Sequence, residues 1–398
     1  MEQLWVGVDV GKEHHWVVVI DDQGQVRRSG RVANDEAALD ALVGEVAGLG
    51  SRPVWAVDLT GVEAALLLTL LWAANQEVRY LPGKALNRAA AGYRSEGKTD
   101  AKDARVLADQ ARLRRDLQRL RPTEELVVEL RLLTSRRADL VADRTRAINR
   151  LRQHLTGICP GLERAANLTR QRGWLVLLSA YQRPTAIAAA GPQALAEFLA
   201  GQGVRAAGEL AQAAVNAAGA QRSRLPGEEV AAGLVAGLAQ ELLELDGCLG
   251  QLDRELEARF RRHRLAEVIC SLPGMGFRLG AEFLAAVGDL ACFASADHLA
   301  AYAGLAPVPN DSGKRTGRLH RPQRYHRGLR RVFYLAALTS IRCCPVSGAY
   351  YQRKRSQGKG SKTALIALAR RRLNVLWAML RDHRPYQPAG HAITAPAA

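Results

Sequence analysis

Residues 4–20 read LWVGVDVGKEHHWVVVI, two runs of β-branched and aromatic residues separated by a short polar segment. Such runs favour β-strands, so the pattern predicts strands at 4–10 and 16–20. The next residues, DDQGQ at 21–25, have the composition of a hairpin turn. A third strand is therefore predicted at 27–32, and the chain is expected to begin with a sheet.

Beyond this hairpin, apolar runs of strand length alternate with stretches of helical periodicity. The pattern predicts, in order, a helix at 35–47, a strand at 54–59, a helix at 61–74, a strand at 78–81 and a helix at 100–119. Three strands followed by alternating helices and strands is the element order of a ribonuclease H-like α/β fold. We therefore expect residues 1–119 to form one α/β domain.

The next region, 120–264, has the pattern of long helices. Residues 123–156 form one helical pattern with an apolar side. A later helix carries leucines at spacings of three and four: Leu234, Leu238, Leu242, Leu245, Leu249, Leu252 and Leu256. Because the repeat is sustained, it predicts a coiled-coil seam, and the two helices together predict an antiparallel coiled coil. The periodicity leaves open whether the coil closes within one chain or between chains.

Residues 265–385 are expected to form a third, mostly helical domain. Helices are predicted at about 280–287, 295–303, 326–341 and 361–381, with a Pro/Gly-rich loop at 304–317. The tail at 386–398 lacks apolar periodicity, so it is expected to be disordered.

The positive charge of the chain is concentrated in one segment. The 398 residues have a formal net charge of +17, from 56 Lys or Arg and 39 Asp or Glu. Residues 312–381 hold 18 of the basic residues and none of the acidic ones, which leaves 38 basic and 39 acidic residues elsewhere. An acid-free folded surface predicts a polyanionic partner, with nucleic acid favoured over an anionic membrane. Candidate contacts in this segment include Arg321, Arg324 and Arg327.

Composition argues against several classes of protein. Hydrophobic residues make up 48% of the chain, which is ample for packed cores. No stretch of about 18 uncharged apolar residues occurs and the N-terminus is unlike a signal peptide, so a soluble, cytoplasmic protein is expected. The six cysteines lack CxxC spacing, which favours reduced, buried thiols. The phosphate-binding motif Gly-x-x-x-x-Gly-Lys-Ser/Thr is missing from the sequence, so ATP hydrolysis is not expected.

Four aspartates form the main chemical pattern. Asp9 lies inside the first predicted strand and Asp58 at the end of the fourth, where a carboxylate is costly unless it is paired or binds a cation. Asp100 and Asp103 share one face of a predicted helix because they are three residues apart. Together they predict a site for two divalent metal ions that acts on phosphodiesters. Hard oxygen ligands suit Mg²⁺ or Mn²⁺.

Two lysines and a glycine turn are candidates for binding phosphate. Lys98 and Lys102 lie beside the helical aspartate pair and could offset its charge or contact phosphate. SLPGMG at 271–276 is similar to a helix–hairpin–helix turn, in which backbone N–H groups near Gly274 and Gly276 would hold a DNA phosphate. A plain turn between two helices fits this segment equally well.

The loop that opens the basic segment contains Ser312, in the sequence NDSGKR. On composition alone this residue is a turn serine. A serine nucleophile needs its proton removed and its phosphate target surrounded by cations. Lys314, Arg315 and Arg318 could supply the charge, whereas His320 is only a weak candidate for the base.

The order of these motifs resembles that of a known family. GVDVGKEHH, AVDLTG, KTDAKDA, SLPGMG and GDLACFASADHLAAYAGLAPVPNDSG, followed by an arginine-rich helix, occur in the order seen in the DEDD transposases of bridge-RNA-guided insertion sequences. The resemblance covers most of residues 4–157 and 265–340, and the last motif is the most specific. It implies a RuvC-like N-terminal domain, a coiled-coil insert and a C-terminal transposase domain.

The resemblance also implies roles for particular residues. Asp9, Asp58, Asp100 and Asp103 match the acidic positions that hold Mg²⁺. Ser312 matches the serine that attacks the DNA backbone and forms a phosphoserine link. The second acidic position is usually Glu in the family, so Asp58 is a departure that shortens one metal ligand by a methylene.

The partners implied by the resemblance are nucleic acids and further copies of the chain. A noncoding bridge RNA would pair with donor and target double-stranded DNA and so choose the sites. The protein would act as a homodimer or homotetramer, in which the metal site of one protomer works with the serine of another. The residues leave two alternatives open: a metal-dependent nuclease or Holliday-junction resolvase that uses water, and a non-catalytic nucleic-acid scaffold.

Overall fold

The computed structural model describes residues 3–93, 99–312, 317 and 319–388. The chain divides between Glu124 and Glu125 into two compact units, which are described separately. Most of the predicted disordered tail, from residue 389 onward, lies outside the described residues.

The first unit contains a six-stranded sheet within its described residues. The elements are β1 (Gln3–Asp9), β2 (His14–Ile20), β3 (Val26–Ala33), α1 (Glu36–Leu49), β4 (Ser51–Val57), α2 (Ala65–Ala73), β5 (Glu77–Tyr80), α3 (Gly83–Ala90), α4 (Asp100–Leu113) and β6 (Gln118–Leu120). The strand order is β3-β2-β1-β4-β5-β6. β1 pairs antiparallel with β2 and parallel with β4, so it lies at the junction of an antiparallel half and a parallel half. The predicted mixed α/β architecture is confirmed.

The two faces of the sheet are covered by different helices, because side chains alternate along each strand. On one face Val8 packs in a cluster with Leu39 of α1 and Leu67 of α2. On the other face Ala56 of β4 packs with Leu107 of α4. The second face is therefore the one that carries α4 and its aspartates.

Two elements of the first unit differ from the prediction. α4 ends at Leu113, six residues before the predicted end at 119, because Arg114 adopts an extended backbone. Residues 118–120 then pair with β5 as the edge strand β6, so their backbone groups bond to the sheet instead of continuing a helix. The helix α3 was not predicted. Only one of its residues, Leu86, is buried, so its sequence lacks the apolar periodicity by which a helix is recognised.

The described part of the second unit is mostly helical. Its elements are α5 (Glu125–Ile158), α6 (Pro160–Ala165), α7 (Arg172–Ala180), α8 (Pro184–Gly201), α9 (Ala207–Gly219), α10 (Glu228–Arg262), α11 (Ala266–Ser271), α12 (Phe277–Val287), α13 (Ala296–Tyr302), β7 (Val308–Pro309), β8 (Leu319–His320), α14 (Arg327–Cys343), α15 (Pro345–Ser356) and α16 (Ser361–Arg381). α5 and α10 are the long helices, and α6 to α9 are inserted between them.

Two ion pairs give the register of α5 against α10. Arg137 bonds to Asp253 at 2.7 Å, and Arg144 donates to both carboxylate oxygens of Asp246. A step of seven residues forward along α5 is thus a step of seven residues back along α10. The two helices are antiparallel and pack on each other within one chain.

The buried residues of α10 overlap in part with the predicted leucine repeat. Of the seven leucines, Leu242 and Leu256 are buried and Leu234 is 48% exposed, and the remaining four are half-buried. Leu238 and Leu245 pack against the cluster that includes Leu151 of α5. Near the start of the helix Ala232, Val235 and Ala239 are also buried, although they lie outside the repeat.

The inserted helices and the C-terminal helices have separate cores. Trp174 and Leu177 of α7 belong to a cluster that also includes Leu151 of α5. In the C-terminal part Phe283 and Phe333 pack edge to face, with ring centroids 5.9 Å apart. Phe333, which lies among the arginines of the basic segment, is thus a core residue.

The start of the predicted disordered tail is held against the C-terminal core. The Tyr386 N–H donates to Ser271 Oγ at 2.8 Å, and the Tyr386 hydroxyl lies 3.7 Å from Cys344 Sγ. The prediction is therefore wrong at Tyr386. In the part of the chain that the structure describes, no single helix is long and apolar enough to cross a membrane. α14 and α15 meet that test only as a pair bent by 105°.

Candidate active site and nucleic-acid surface

Asp9 and Asp58 lie side by side at the carboxyl ends of two parallel strands. The register pairs Val8 with Val57, so the next residue of each chain segment is an aspartate. The Val10 N–H donates to Asp58 Oδ1 at 3.3 Å, which holds this carboxylate across the strand ends. Both aspartates are half-buried. The sheet thus places these two predicted ligands at one edge and on the face covered by α4.

Gly7 brings α4 onto the sheet at the same point. A Cβ on this residue would lie 2.0 Å from the backbone oxygen of Ala104 and 2.5 Å from the backbone nitrogen of Ala108. Only a residue without a side chain permits such an approach. Gly7 and Asp9 are two residues apart and so face the same way, which puts the first turn of α4 beside the strand ends.

Asp103 is the helix residue that this packing brings to the strand ends. Its side chain is buried, at 7% exposure. Burial raises the pKa of the Asp58 carboxyl, and the negative charge of Asp103 raises it further. The negative charge of Asp103 is therefore close enough to oppose the ionisation of Asp58. A carboxyl group whose pKa is raised by burial and by a like charge is frequent in functional sites.

Asp100 lies one turn earlier and is exposed at the start of α4. Thr99 caps this helix by accepting from the Lys102 N–H at 3.2 Å. The predicted sharing of a helix face by Asp100 and Asp103 follows from their spacing. The structure thus buries one member of the pair near the strand aspartates and leaves the other at the rim.

The four aspartates fit a hard divalent cation by chemistry but are not drawn into a compact ligand group. Among the described residues, no set of three His, Cys, Asp or Glu side chains is close enough together to hold a metal ion. Carboxylate oxygens are nonetheless the ligands that Mg²⁺ and Mn²⁺ prefer. A divalent cation would also offset the repulsion that raises the pKa of Asp58. Residues Asp9, Asp58 and Asp103 would hold it, with Asp100 at the rim.

Ser312 is described in the second unit, whereas the aspartates belong to the first. It is exposed and follows β7, which pairs with β8 through Val308 and His320. His320, the weak candidate for the base, is therefore a residue of this small hairpin. Four of the predicted phosphate-binding residues lie outside the described residues: Lys98, Lys314, Arg315 and Arg318.

The hairpin formed by β7 and β8, here called the serine hairpin because Ser312 follows β7, is anchored at its base by contacts that were not predicted. Gly304 has a φ of +67°, and a Cβ there would lie 2.4 Å from Cγ of Tyr325. The Arg330 guanidinium lies 4.8 Å from the centroid of the Tyr325 ring and donates to the Gly304 carbonyl at 3.1 Å. The motif GLAP, which contains this glycine, was the signal that could have indicated a tightly packed turn.

The arginines of the acid-free segment divide into paired and unpaired groups. Acidic residues from earlier in the chain neutralise some of them, as Glu282 does for Arg331 and Asp297 for Arg370. Arg321, Arg324 and Arg327 are exposed, and none of the three bonds to a carboxylate in the described part of the chain. Arg321 instead donates to the Tyr325 hydroxyl at 2.9 Å, which lowers the pKa of Tyr325.

The glycines of SLPGMG have different surroundings. A Cβ on Gly274, where φ is +83°, would lie 2.5 Å from the backbone oxygen of Ala336, so this residue serves the packing of the turn on α14. Gly276 is exposed and precedes the first turn of α12, where no side chain caps the helix. Of the two predicted phosphate contacts, Gly276 is exposed and Gly274 is half-buried.

Two family models match separate parts of the chain. Residues 6–160 match the model of the DEDD transposase domain of IS110, described as a transposase. Residues 266–352 match the model described as transposase of the IS116/IS110/IS902 family.

Proteins of insertion elements are similar over nearly the whole length. The 42 kDa protein of insertion element IS900 from Mycobacterium paratuberculosis is 54% identical over 98% of both chains. The 44.8 kDa protein of insertion element IS116 from Streptomyces clavuligerus is 51% identical over 98% of this chain and 97% of its own. A pilin gene-inverting protein from Moraxella bovis is 30% identical over 39% of this chain and 46% of its own.

Proposed function

The chain belongs to the IS116/IS110/IS902 family of insertion-sequence transposases, enzymes that cleave and join DNA, and we propose that it works by a serine nucleophile assisted by a carboxylate-bound metal site. The observation that carries this proposal is the position of Asp9 and Asp58 at adjacent strand ends, with the charge of Asp103 acting on Asp58 where Gly7 lets α4 contact β1. An edge of half-buried carboxylates suits phosphodiester chemistry better than it suits structural stability, because bringing several like charges together away from water is costly.

The fold of the first unit is proposed to be ribonuclease H-like and RuvC-like. Its antiparallel β1–β3 and parallel β1, β4 and β5 support this assignment, as does the position of the aspartates at the strand ends. When bound there, Mg²⁺ or Mn²⁺ supplies charge that stabilises phosphoryl oxygens and activates an attacking or leaving oxygen. The carboxylates of Asp58 and Asp103 would attract the ion, and the carboxylate of Asp9 would add a further ligand at the adjacent strand end.

Ser312 is proposed as the nucleophile. Its Oγ attacks a DNA phosphorus, the bond to the leaving deoxyribose oxygen breaks, and the DNA phosphate remains attached to the serine as a phosphodiester. Ser312 is exposed, so a DNA strand can reach it. Lys314, Arg315 and Arg318 adjoin it in the sequence, and the unpaired Arg321, Arg324 and Arg327 lie just beyond. Cations in this arrangement would stabilise the charge that develops on the phosphate.

Guidance by a noncoding bridge RNA and assembly into a dimer or tetramer are also proposed, on the resemblance. The unpaired arginines suit contacts with nucleic-acid backbones, which is what a protein needs when base pairing chooses the site. The substrates would then be donor and target double-stranded DNA. The similarity to a pilin gene-inverting protein supports recombination of duplex DNA as the outcome.

The proposal is tested by replacing the nucleophile and a metal ligand separately. Ser312→Ala should eliminate both strand exchange and the covalent protein–DNA adduct on denaturing gels, while DNA binding remains. Asp103→Asn should reduce Mg²⁺-dependent strand exchange by roughly a thousandfold, while the protein stays folded. Ser295→Ala, which removes a helix-capping serine in the same unit, is the matched control and should retain the adduct.

The outcomes separate the proposal from its alternatives. If Ser312→Ala cleaves DNA as well as the original chain, a metal-dependent nuclease with a water nucleophile is the better description. If Asp9→Asn combined with Asp100→Asn leaves recombination unchanged, the metal site is wrongly assigned. If RNA recovered with the purified protein does not map beside its own gene, the bridge RNA is wrongly assigned.

A further inference from the structure

The inserted helices enclose a cavity that the proposed chemistry does not use. It measures about 650 Å³ and lies between the start of α7, the start of α9 and the segment that joins α8 to α9. Its lining includes the apolar residues Val204, Leu210 and Ala213. This volume falls within the range of pockets that hold small ligands. The cavity is remote in sequence from the segment 312–381, which holds the excess of positive charge.

Three arginines give the cavity a cationic rim. Arg170, Arg172 and Arg205 all line it and all are exposed. None of them bonds to a carboxylate within the described residues, although Glu209 also lines the cavity. The ion pairs found in this part of the described chain join other residues, for example Arg152 with Glu163. Arg172 donates one hydrogen bond, to the Gln202 carbonyl at 3.3 Å, and a guanidinium group has five N–H donors. All three arginines can therefore still donate to an anionic ligand.

The backbone adds further donors to the same rim. α7 begins at Arg172 and α9 at Ala207, and neither helix has a side-chain cap at its N-terminus. The first N–H groups of a helix have no partner within the helix and favour anions. Gly173 lets α7 pack closely here, since a Cβ on it would lie 2.7 Å from Cδ1 of Leu210. Two uncapped helix starts and three arginines that bond to no carboxylate in the described part of the chain therefore line one cavity.

We propose that this cavity binds an unpaired nucleotide of a nucleic-acid strand, with the base in the apolar recess and the flanking phosphates on the arginine rim. The arrangement suits a strand that can turn a base outward, because a base within a duplex is held in its stack and cannot enter a recess. The cavity would give the inserted helices a nucleic-acid contact separate from the serine loop. It stands independently of the serine mechanism, because it requires only binding.

The test measures binding of labelled oligonucleotides by fluorescence anisotropy, with the full chain and no divalent ion. The probes are a 12-nucleotide oligouridine RNA, the corresponding oligothymidine DNA and a mixed-sequence duplex DNA. The triple variant Arg170→Ala, Arg172→Ala, Arg205→Ala should bind the single-stranded probes at least about tenfold more weakly. Its slope of log affinity against log salt should be smaller by about 2, since each phosphate contact with a single strand contributes about 0.7. Duplex binding should change less than twofold.

A matched control removes the same charge elsewhere. Arg150, Arg183 and Arg222 are exposed residues of the same unit that do not line the cavity. Their triple alanine variant should bind every probe within twofold of the original chain. Ala213→Phe fills the recess without changing the charge and should weaken single-strand binding by about as much as the rim variant.

Each outcome supports or overturns the site. Equal weakening by the two triple variants, or no effect of Ala213→Phe, would mean that the arginines act only through overall charge, and would overturn it. A larger loss for oligouridine than for oligothymidine would identify RNA as the ligand, whereas the reverse would identify single-stranded DNA. Displacement of both probes by millimolar inorganic phosphate alone would reduce the site to a simple anion site and would contradict the role of the recess.

Discussion

The carboxylate edge of the first unit and the serine hairpin of the second are held in opposite ways. Asp103 is buried and its position depends on backbone contact between α4 and β1, whereas Ser312 is exposed on a loop between two short strands. A metal-binding edge must keep several charges close together, so it needs packing to oppose their repulsion. A nucleophile that attacks duplex DNA must be reachable. The same difference predicts that substitutions will act mainly on stability and geometry in the first region, and on access and binding in the second.

The largest effect is expected at Gly7. Gly7→Val would place side-chain atoms where the Ala104 oxygen now lies, so α4 must move away from β1. The free energy of unfolding should fall by about 3 kcal/mol, the upper end for overpacking, and Mg²⁺-dependent cleavage should be lost. Chemical denaturation and a strand-exchange assay measure the two effects. Gly30→Val is the control, because no atom lies within 4 Å of a Cβ at Gly30 in β3; equal destabilisation by both changes would contradict the role of the α4 contact.

A smaller effect is expected at the anchor of the serine hairpin. In Gly304→Ala the new Cβ would clash with the Tyr325 ring, and alanine would have to adopt a left-handed backbone. The free energy of unfolding should therefore fall by about 2 kcal/mol. Gly317 also has a positive φ, of +80°, but no atom lies within 4 Å of its Cβ position. Gly317→Ala should therefore lower the free energy of unfolding only by the cost of a left-handed backbone, about 1 kcal/mol. Thermal or chemical unfolding measures both changes. A cost at Gly317 that matches the cost at Gly304 would show that the Tyr325 contact contributes nothing.

The pH dependence of folding stability should reveal the raised pKa of Asp58. Its pKa is raised in the folded state by burial and then by Asp103, so the folded chain keeps the proton at a pH where the unfolded chain has lost it. The free energy of unfolding, without divalent ions, should therefore decrease as the pH rises from the unfolded pKa through the folded one. The slope in this window is at most about 1.4 kcal/mol per pH unit. Asp58→Asn should flatten this part of the curve in urea titrations at a series of pH values, and an unchanged curve would contradict the assignment.

The smallest effect on stability is expected in the basic segment. Arg327→Ala removes an exposed, unpaired charge and should leave the unfolding free energy unchanged, while the salt slope of duplex DNA binding falls by about 0.9. Arg331, four residues later, already pairs with Glu282. Arg331→Ala should change the salt slope less, as measured by anisotropy over a series of salt concentrations. A larger change for Arg331 than for Arg327 would contradict the division into paired and unpaired arginines.

The first unit was largely predictable because its signals are local. Alternating and β-branched runs such as WVVVI need no partner to be recognised as strands, and the order of elements then predicts the edge where Asp9 and Asp58 meet. The contribution of Gly7 was not predictable, since a glycine in a strand does not indicate which helix lies against it. β6 was missed because its pairing with β5 involves only three residues.

The long helices show where a local signal was misleading. The leucine repeat of α10 is a regular pattern, yet Leu234 is exposed and Ala239, outside the repeat, is buried. Asp246 and Asp253 of the same helix pair with Arg144 and Arg137 of α5, more than 90 residues earlier in the chain. Periodicity along one helix holds no information about such partners. The role of Ser312 was likewise absent from its composition and came from the resemblance.

The most direct test of the proposed mechanism is to locate the covalent link between protein and DNA. The full chain is incubated with duplex substrate and Mg²⁺, with its RNA retained, and the reaction is stopped by denaturation. The adduct is digested with protease and nuclease, and the modified peptide is sequenced by mass spectrometry. The mechanism predicts a phosphate ester on Ser312, and its absence from Asp103→Asn protein. An adduct on any other residue, or strand exchange without an adduct, would contradict it.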